Sequence, residues 1–184
     1  MNKFIAAGLV SAFMCVGAAV AEKPSPEPSI KDLDVLIGKW RYVDQSTDLA
    51  GFDYREEGET ECQYALGGKY IRCEGSGVYN GKSRVFVEYI NYNQFTEEFQ
   101  RVGFFENHPA HARFTLQISE DGKRIEQRGA PMDQRDGSVT RNWGVITFID
   151  DDHYNWDVHV NTSTEAADYW PRKFISTFER VTDE

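Results

Sequence analysis

The sequence predicts an all-β protein, an antiparallel up-and-down barrel of about ten strands. Between residues 39 and 181, apolar and polar residues alternate in short segments with the two-residue period of a β-strand. Turn-forming residues end the segments, and the connections are short enough for consecutive strands to pair antiparallel. A long meander tends to curl and close, because closure removes its exposed edges. An open two-sheet sandwich is the alternative.

The expected strands are bounded by recognisable turns. Asn80-Gly81 and Asp121-Gly122 are typical of tight hairpins, whose central residues need positive φ angles. In chain order, the segments that we expect to be strands are 39–46, 52–66, 69–79, 83–92, 97–106, 111–119, 123–129, 138–149, 153–161 and 171–181.

A short helix is expected before the first strand. Ser29 and Asp32 resemble a capping box, and Ile30, Leu33 and Leu36 fall on one side of a helix that begins there. A helix this short needs a surface to pack on. We therefore expect it to close one end of the barrel.

The N-terminus predicts export. Residues 1–21 form a secretory signal, with Lys3 as a basic start, an apolar run, and a small-x-small cleavage site at residues 19–21. An uncleaved anchor and acylation at Cys15 are the alternatives. The proline-rich residues 22–28 form an extended tether, and residues 29–184 form a single barrel domain. The expected location is the periplasm or outside the cell, with no membrane span after cleavage.

The charge of the chain argues against polyanionic partners. The formal net charge is −10, and it becomes −11 when Lys3 leaves with the signal. Nucleic acid and anionic lipid would both repel such a surface. We expect no nucleic-acid partner, and the sequence leaves the oligomeric state open.

Two cysteines of the mature chain are expected to face each other. If Gly67-Gly68 is the centre of a hairpin turn, Cys62 lies directly opposite Cys73. In an oxidising compartment the pair predicts a disulfide, which would hold the register of the two strands. A redox or zinc pair is the weaker alternative, since no histidine lies nearby.

Alternation does not tell which face of the strands is internal, so the candidate ligand-binding residues come from both faces. Such cavities combine an apolar wall with a few fixed polar groups. The aromatic candidates are Tyr42, Phe86, Phe99, Phe104 and Trp156, and the polar ones are Arg72, Arg101 and His159.

Catalytic and metal signatures are missing from the sequence. It contains no nucleophile elbow, helical zinc pair, dinucleotide fingerprint or phosphate loop. We predict no catalytic residue, metal or cofactor. The acidic residues 56–61 are typical of a solvated strand edge, although paired carboxylates can also perform acid–base chemistry. Asp157 and His159 share a strand face and are the best candidates for a catalytic pair.

Two short motifs resemble known barrels. Residues 36–40, Leu-Ile-Gly-Lys-Trp, resemble the start of the first strand in lipocalin-like (calycin) barrels. The resemblance implies that Trp40 plugs the closed end and that Arg180 stacks on it. Residues 66–70, Leu-Gly-Gly-Lys-Tyr, are similar to a bacterial family of exported or cytosolic uncharacterised domains. For that family no activity or ligand is settled, so the likeness implies a fold and little about function.

The leading hypothesis is an exported, non-enzymatic barrel that holds a small, partly apolar molecule. The partner would be hydrophobic or amphipathic. The alternatives are an envelope structural or interaction module without a ligand, and an enzyme that uses the Asp157–His159 pair.

Overall fold

A computed structural model describes residues 28–108 and 110–182. The expected signal, Cys15 and residues 22–27 of the tether lie outside the described residues. Short 3₁₀ helices occur at Ile30–Leu36 and Asp48–Ala50. The strands are β1 Gly38–Ser46, β2 Arg55–Ala65, β3 Tyr70–Tyr79, β4 Lys82–Asn93, β5 Glu98–Phe105, β6 Ala112–Ile118, β7 Arg124–Gly129, β8 Met132–Asp133, β9 Val139–Phe148, β10 His153–Thr162 and β11 Arg172–Arg180.

The strands form one closed antiparallel barrel, which confirms the predicted fold. Each of β1 to β7 pairs with its neighbour in sequence, then β7 pairs with β9, β9 with β10, and β10 with β11. Pairing of β11 with β1 closes the ring of ten long strands. The two-residue strand β8 only adds to the end of β9. The sandwich alternative is wrong, since closure leaves no second sheet.

The predicted hairpin and disulfide are both confirmed. Gly67 and Gly68 have positive φ angles at the turn between β2 and β3. Cys62 pairs with Cys73 across the two strands, and a disulfide joins them. Both side chains are buried in the core, so the even-numbered residues near Cys62 on β2 face the barrel interior.

The N-terminal 3₁₀ helix packs against the Trp40 end of the barrel. Leu33 and Leu36 are buried in the core cluster, and the indole Nε1 of Trp40 donates to the Leu36 carbonyl at 3.0 Å. The guanidinium carbon of Arg180 lies 4.1 Å from the Trp40 ring centroid. Arg180 also donates to the carbonyls of Val35 and Ile37. These contacts tie helix, first strand and last strand together.

The core is concentrated at this end and along the inner faces of the strands. Buried aliphatic and aromatic residues such as Ile71, Ile90, Phe99 and Leu116 form one cluster with Trp40.

Among residues 28–108 and 110–182, no helix is both long enough and apolar enough to cross a bilayer.

Candidate functional site

The interior of the barrel contains a cavity of about 90 Å³. Its lining comes from the N-terminal 3₁₀ helix and from eight strands, because alternate residues of each strand point inward. The lining residues are Leu36, Tyr42, Asp44, Thr60, Cys62, Cys73, Arg84, Phe86, Glu88, Ile90, Arg101, Phe105, Ile146, Tyr154, Ser176 and Phe178. Apolar side chains thus surround a few ionisable groups.

One group of buried polar residues is centred on Glu56, whose side chain is fully buried. Its carboxylate accepts hydrogen bonds from the hydroxyls of Tyr42 and Tyr54 and from Nε of Arg84. Burial opposes ionisation, but the hydrogen bonds from Arg84 and the two tyrosines outweigh it and lower the pKa of Glu56. We call Tyr42, Tyr54, Glu56 and Arg84 the Glu56 cluster.

Two glycines on β3 make room for large side chains on the inner wall, including those of this cluster. A β-carbon at Gly77 would overlap the Glu56 carboxylate and the Tyr42 hydroxyl. A β-carbon at Gly75 would overlap the Phe86 ring. The two glycines therefore let large side chains lie flat against the inner wall.

A second polar group is centred on Arg101. Its Nη2 donates to both carboxylate oxygens of Glu88 at 2.6 and 2.5 Å, and its Nη1 donates to Oε1 of Gln127 at 2.8 Å. Its guanidinium carbon lies 5.1 Å from the Trp156 ring centroid. Arg101 Nε and Trp156 Nε1 are both buried with no hydrogen-bond partner in the described structure. Two donors in the interior thus lack an acceptor.

Asp44 is the third ionisable feature of the cavity. It lies on β1 directly across from Glu56 on β2 and from Ser176 on β11. The Ser176 hydroxyl donates to its Oδ1 at 3.1 Å. Burial raises the pKa of Asp44 to about 6, although the hydrogen bond from Ser176 favours the ionised form. Asp44 therefore titrates near neutral pH.

Aromatic rings form a continuous belt along the cavity wall. Ring centroids are 6.0 Å apart between Phe86 and Phe105, and 6.2 Å apart between Phe86 and Tyr42. The belt continues from Tyr42 to Phe178 at 5.6 Å and from Phe178 to Tyr154 at 4.2 Å. A guest in the cavity would contact ring faces and edges.

Five of the eight sequence-predicted site residues lie on the inner side. Tyr42, Phe86 and Arg101 line the cavity itself. Trp156 stacks on Arg101 beside the cavity, and Phe99 is buried in the core two residues from Arg101 on β5.

The other three lie on the outer side of the sheet. Arg72 alternates with the buried Ile71 and Cys73 and forms an ion pair with Glu74 at 2.7 Å. Phe104 is half exposed, with its ring beside that of His111.

His159 stacks on Trp143, a neighbour of the inward-facing Gly144, and so lies on the outer surface. Its Nδ1 is 3.0 Å from the Trp170 carbonyl oxygen. Asp157 pairs with Arg172 at 3.2 Å. The two residues considered as a catalytic pair thus have separate partners and do not face the cavity.

Sequence reasoning missed four ionisable residues of the interior, namely Asp44, Glu56, Arg84 and Glu88. The interpretation of residues 56–61 as a solvated edge is wrong for Glu56, because the strand turns alternate residues of that run inward. A signal existed: Glu56 has the same parity as Cys62, whose disulfide faces the core. Among the described residues, no group of three or more His, Cys, Asp and Glu side chains could hold a metal.

Comparison with known proteins supports the same architecture. The S-type phycobiliprotein lyase CPES from Guillardia theta superimposes with a TM-score of 0.51 at 16% identity, covering 88% of this chain and 100% of that one. Rv2717c from M. tuberculosis superimposes with a TM-score of 0.56 at 13% identity, covering 84% of this chain and 98% of that one. At these identities the likeness shows the fold alone. No curated protein matches the sequence.

The two resemblances found in the sequence, to lipocalin-like barrels and to an uncharacterised family, are both confirmed. The model of the family described as "Protein of unknown function (DUF1579)" matches residues 25–170, and the chain belongs to that family.

Proposed function

We propose that this barrel binds a small, partly apolar molecule in its interior. The observation that carries the proposal is the cavity itself, where an aromatic belt and aliphatic side chains surround Asp44, Arg101 and Ser176. Apolar walls with a few convergent polar groups are typical of small-molecule sites. A barrel that served only as a structural module would gain stability from filling this space with its own side chains.

The volume of the cavity limits the size of the guest. A cavity of about 90 Å³ is smaller than the roughly 300–1,000 Å³ typical of pockets for drug-sized ligands. It would hold about three water molecules, or one organic group of similar total volume. The ligand is therefore a small molecule, or a larger one that places only a short end group inside.

The N-terminal 3₁₀ helix closes the Trp40 end in this proposal. Leu33 and Leu36 are buried there, and Arg180 bridges the helix to the last strand. The guest would then enter from the opposite end of the barrel.

Export completes the proposal, with residues 1–21 as a cleaved signal, 22–28 as a tether and 29–184 as the barrel domain. The disulfide between Cys62 and Cys73 supports an oxidising compartment, such as the periplasm or the cell exterior. The acidic charge suits a soluble carrier that avoids polyanions.

Filling the cavity tests the proposal. Thr60 lines the cavity from β2, and Thr60→Leu adds apolar volume where the guest would lie. We expect propanol, used as a small amphipathic probe, to shift the NMR signals of residues around the cavity in the wild-type protein. We expect Thr60→Leu to abolish those shifts, because the added side chain occupies the space.

Gln63→Leu is the matched control, since Gln63 is exposed on the same strand. It should retain the wild-type shifts. Equal probe binding by Thr60→Leu, with its fold intact, would place the guest elsewhere and overturn the proposal.

A further inference from the structure

The charges around the cavity do not balance. Glu56 is paired with Arg84, and Glu88 is paired with Arg101. Asp44 accepts from the Ser176 hydroxyl, but among the described residues no Lys, Arg or His nitrogen lies within ion-pair distance of it. The cavity thus carries one negative charge with no counter-charge, held where a guest would contact it.

The surroundings of Asp44 suit an organic cation. Tyr42 and Phe178 pair across β1 and β11, and the next inward pair along the same two strands is Asp44 with Ser176. The carboxylate therefore lies at the end of an aromatic wall that continues to Tyr154. A carboxylate beside aromatic rings is a recurring way to bind ammonium groups, because the negative faces of the rings attract the cation.

The arginines of the cavity do not offer an equivalent site for an anion. Arg84 is held by Glu56 and lies 5.8 Å from the Phe86 ring centroid. Nη1 and Nη2 of Arg101 donate to Gln127 and Glu88, so among the described residues only its Nε is left without a partner. An anionic guest that sought either ion-paired guanidinium would have to displace its carboxylate, and it would also be repelled by Asp44.

We propose that Asp44 binds the cationic head of the ligand, and that the ligand is a small organic ammonium ion or carries an alkylammonium end group. The inference rests on the proposed function of the same cavity and names the chemical class of its guest. The apolar part of the ligand lies along Tyr42 and Phe178. The unpartnered donors Arg101 Nε and Trp156 Nε1 are not part of this contact.

The affinity for such a cation should depend on pH. Asp44 must be ionised to attract it, so binding weakens as the pH falls through the pKa of about 6. The groups that face Asp44 are Glu56 on β2, Arg84 on β4, and Tyr54 before β2. Glu56 has a lowered pKa and the pKa values of Arg84 and Tyr54 are raised, so none of these changes charge between pH 5 and 8.

The test compares three probes of nearly equal shape on the folded mature protein: propylammonium, propanol and propionate. Their affinities are measured by NMR titration at pH 8 for the wild-type protein and for Asp44→Asn. We expect propylammonium to bind most tightly to the wild type, and Asp44→Asn to weaken it by about ten- to a hundredfold. Propanol should bind both proteins about equally.

Asp53→Asn makes the same chemical change at an exposed position and should leave every affinity as in the wild type. The inference is overturned if propionate or propanol binds at least as tightly as propylammonium, or if Asp44→Asn leaves propylammonium binding unchanged. Either result leaves the proposed function standing, because the cavity still takes a guest. If none of the three probes binds, the proposed function itself fails and the inference fails with it.

Discussion

Asp44 and Glu56 are directly opposite each other on β1 and β2, and both face the barrel interior. Their protonation behaviour is nevertheless opposite, since the pKa of Asp44 is raised to about 6 and that of Glu56 is lowered. Burial favours the protonated form of both acids. The difference lies in the partners: Glu56 has a guanidinium and two phenol donors, whereas among the described residues one hydroxyl is the only side-chain donor to Asp44.

The two acids differ in how far their surroundings compensate the carboxylate charge. A buried carboxylate with all its partners in place stabilises one arrangement of the strands around it. A partly buried carboxylate without an ion-pair partner destabilises the folded protein, and binding of a cation would recover that cost. Glu56 is of the first kind, and we infer that Asp44 is of the second. Three substitutions test this difference between the two acids.

Arg84→Met should have the largest effect. It leaves Glu56 fully buried without its positive partner, and breaking a buried pair in this way costs about 3–5 kcal/mol of folding stability. Without Arg84 the pKa of Glu56 should rise, so the loss should be greater at pH 8 than at pH 5. Urea unfolding at pH 5 and pH 8 measures the loss of stability and its dependence on pH.

The double variant Glu56→Gln with Arg84→Met provides the control. It removes the stranded charge, so it should be more stable at pH 8 than Arg84→Met alone and should show less dependence on pH. Wild-type stability of Arg84→Met at pH 8 would mean that Glu56 is not held by this ion pair.

Asp44→Asn should have the opposite effect and increase the folding stability. The pKa of Asp44 rises from 3.8 to about 6 on folding, so ionisation of this acid disfavours the folded state. The cost is complete above pH 6 and disappears below pH 3.8. We therefore expect the free energy of unfolding of Asp44→Asn, measured by urea denaturation, to exceed that of the wild type at pH 8 by up to about 3 kcal/mol. At pH 3.5 the two proteins should be equally stable.

Asp53→Asn is the matched control and should show no such dependence on pH. A constant difference between Asp44→Asn and the wild type from pH 3.5 to pH 8 would show that desolvated charge is not the cause. If Asp44→Asn is less stable than the wild type at pH 8, the negative charge of Asp44 is already stabilised by other groups of the protein.

Much of the fold could be predicted because the information is local. Alternation and turn chemistry gave every long strand of the barrel to within a few residues. The double glycine at residues 67 and 68 placed Cys62 opposite Cys73, and the disulfide follows from that register.

The inner face was also within reach of the sequence. The resemblance places Trp40 inside, and two-residue alternation then turns Tyr42 and Asp44 inward on β1. On β2 the disulfide at Cys62 does the same for Glu56. Extending the alternation from Trp40 and Cys62 along their strands would have placed Asp44 and Glu56 inside, and the same step from Cys73 would have placed Arg72 outside.

The pairing of the interior charges could not be predicted. Glu56 and Arg84 lie on β2 and β4, which are separated by β3, and Gly77 on that intervening strand leaves space for the Glu56 carboxylate to reach Arg84. Which acid receives an arginine depends on side-chain length and on the curvature of the barrel. Neither is encoded in a local sequence pattern. The cavity volume could not be predicted for the same reason, because it also depends on how side chains from distant strands pack.

Ser176→Ala should produce the smallest change. Within the part of the chain that the structure describes, the Ser176 hydroxyl is the only side-chain donor to Asp44, and its hydrogen bond favours the ionised carboxylate. Its removal should raise the pKa of Asp44 further above its value of about 6 and should cost about 1 kcal/mol of stability at pH 8. NMR titration of the Asp44 carboxyl carbon measures the pKa, and Thr177→Ala, at the exposed neighbouring position, serves as the control. If the pKa instead stays the same or falls, a donor other than Ser176 solvates Asp44, and the contrast between the two acids is smaller than their hydrogen bonds indicate.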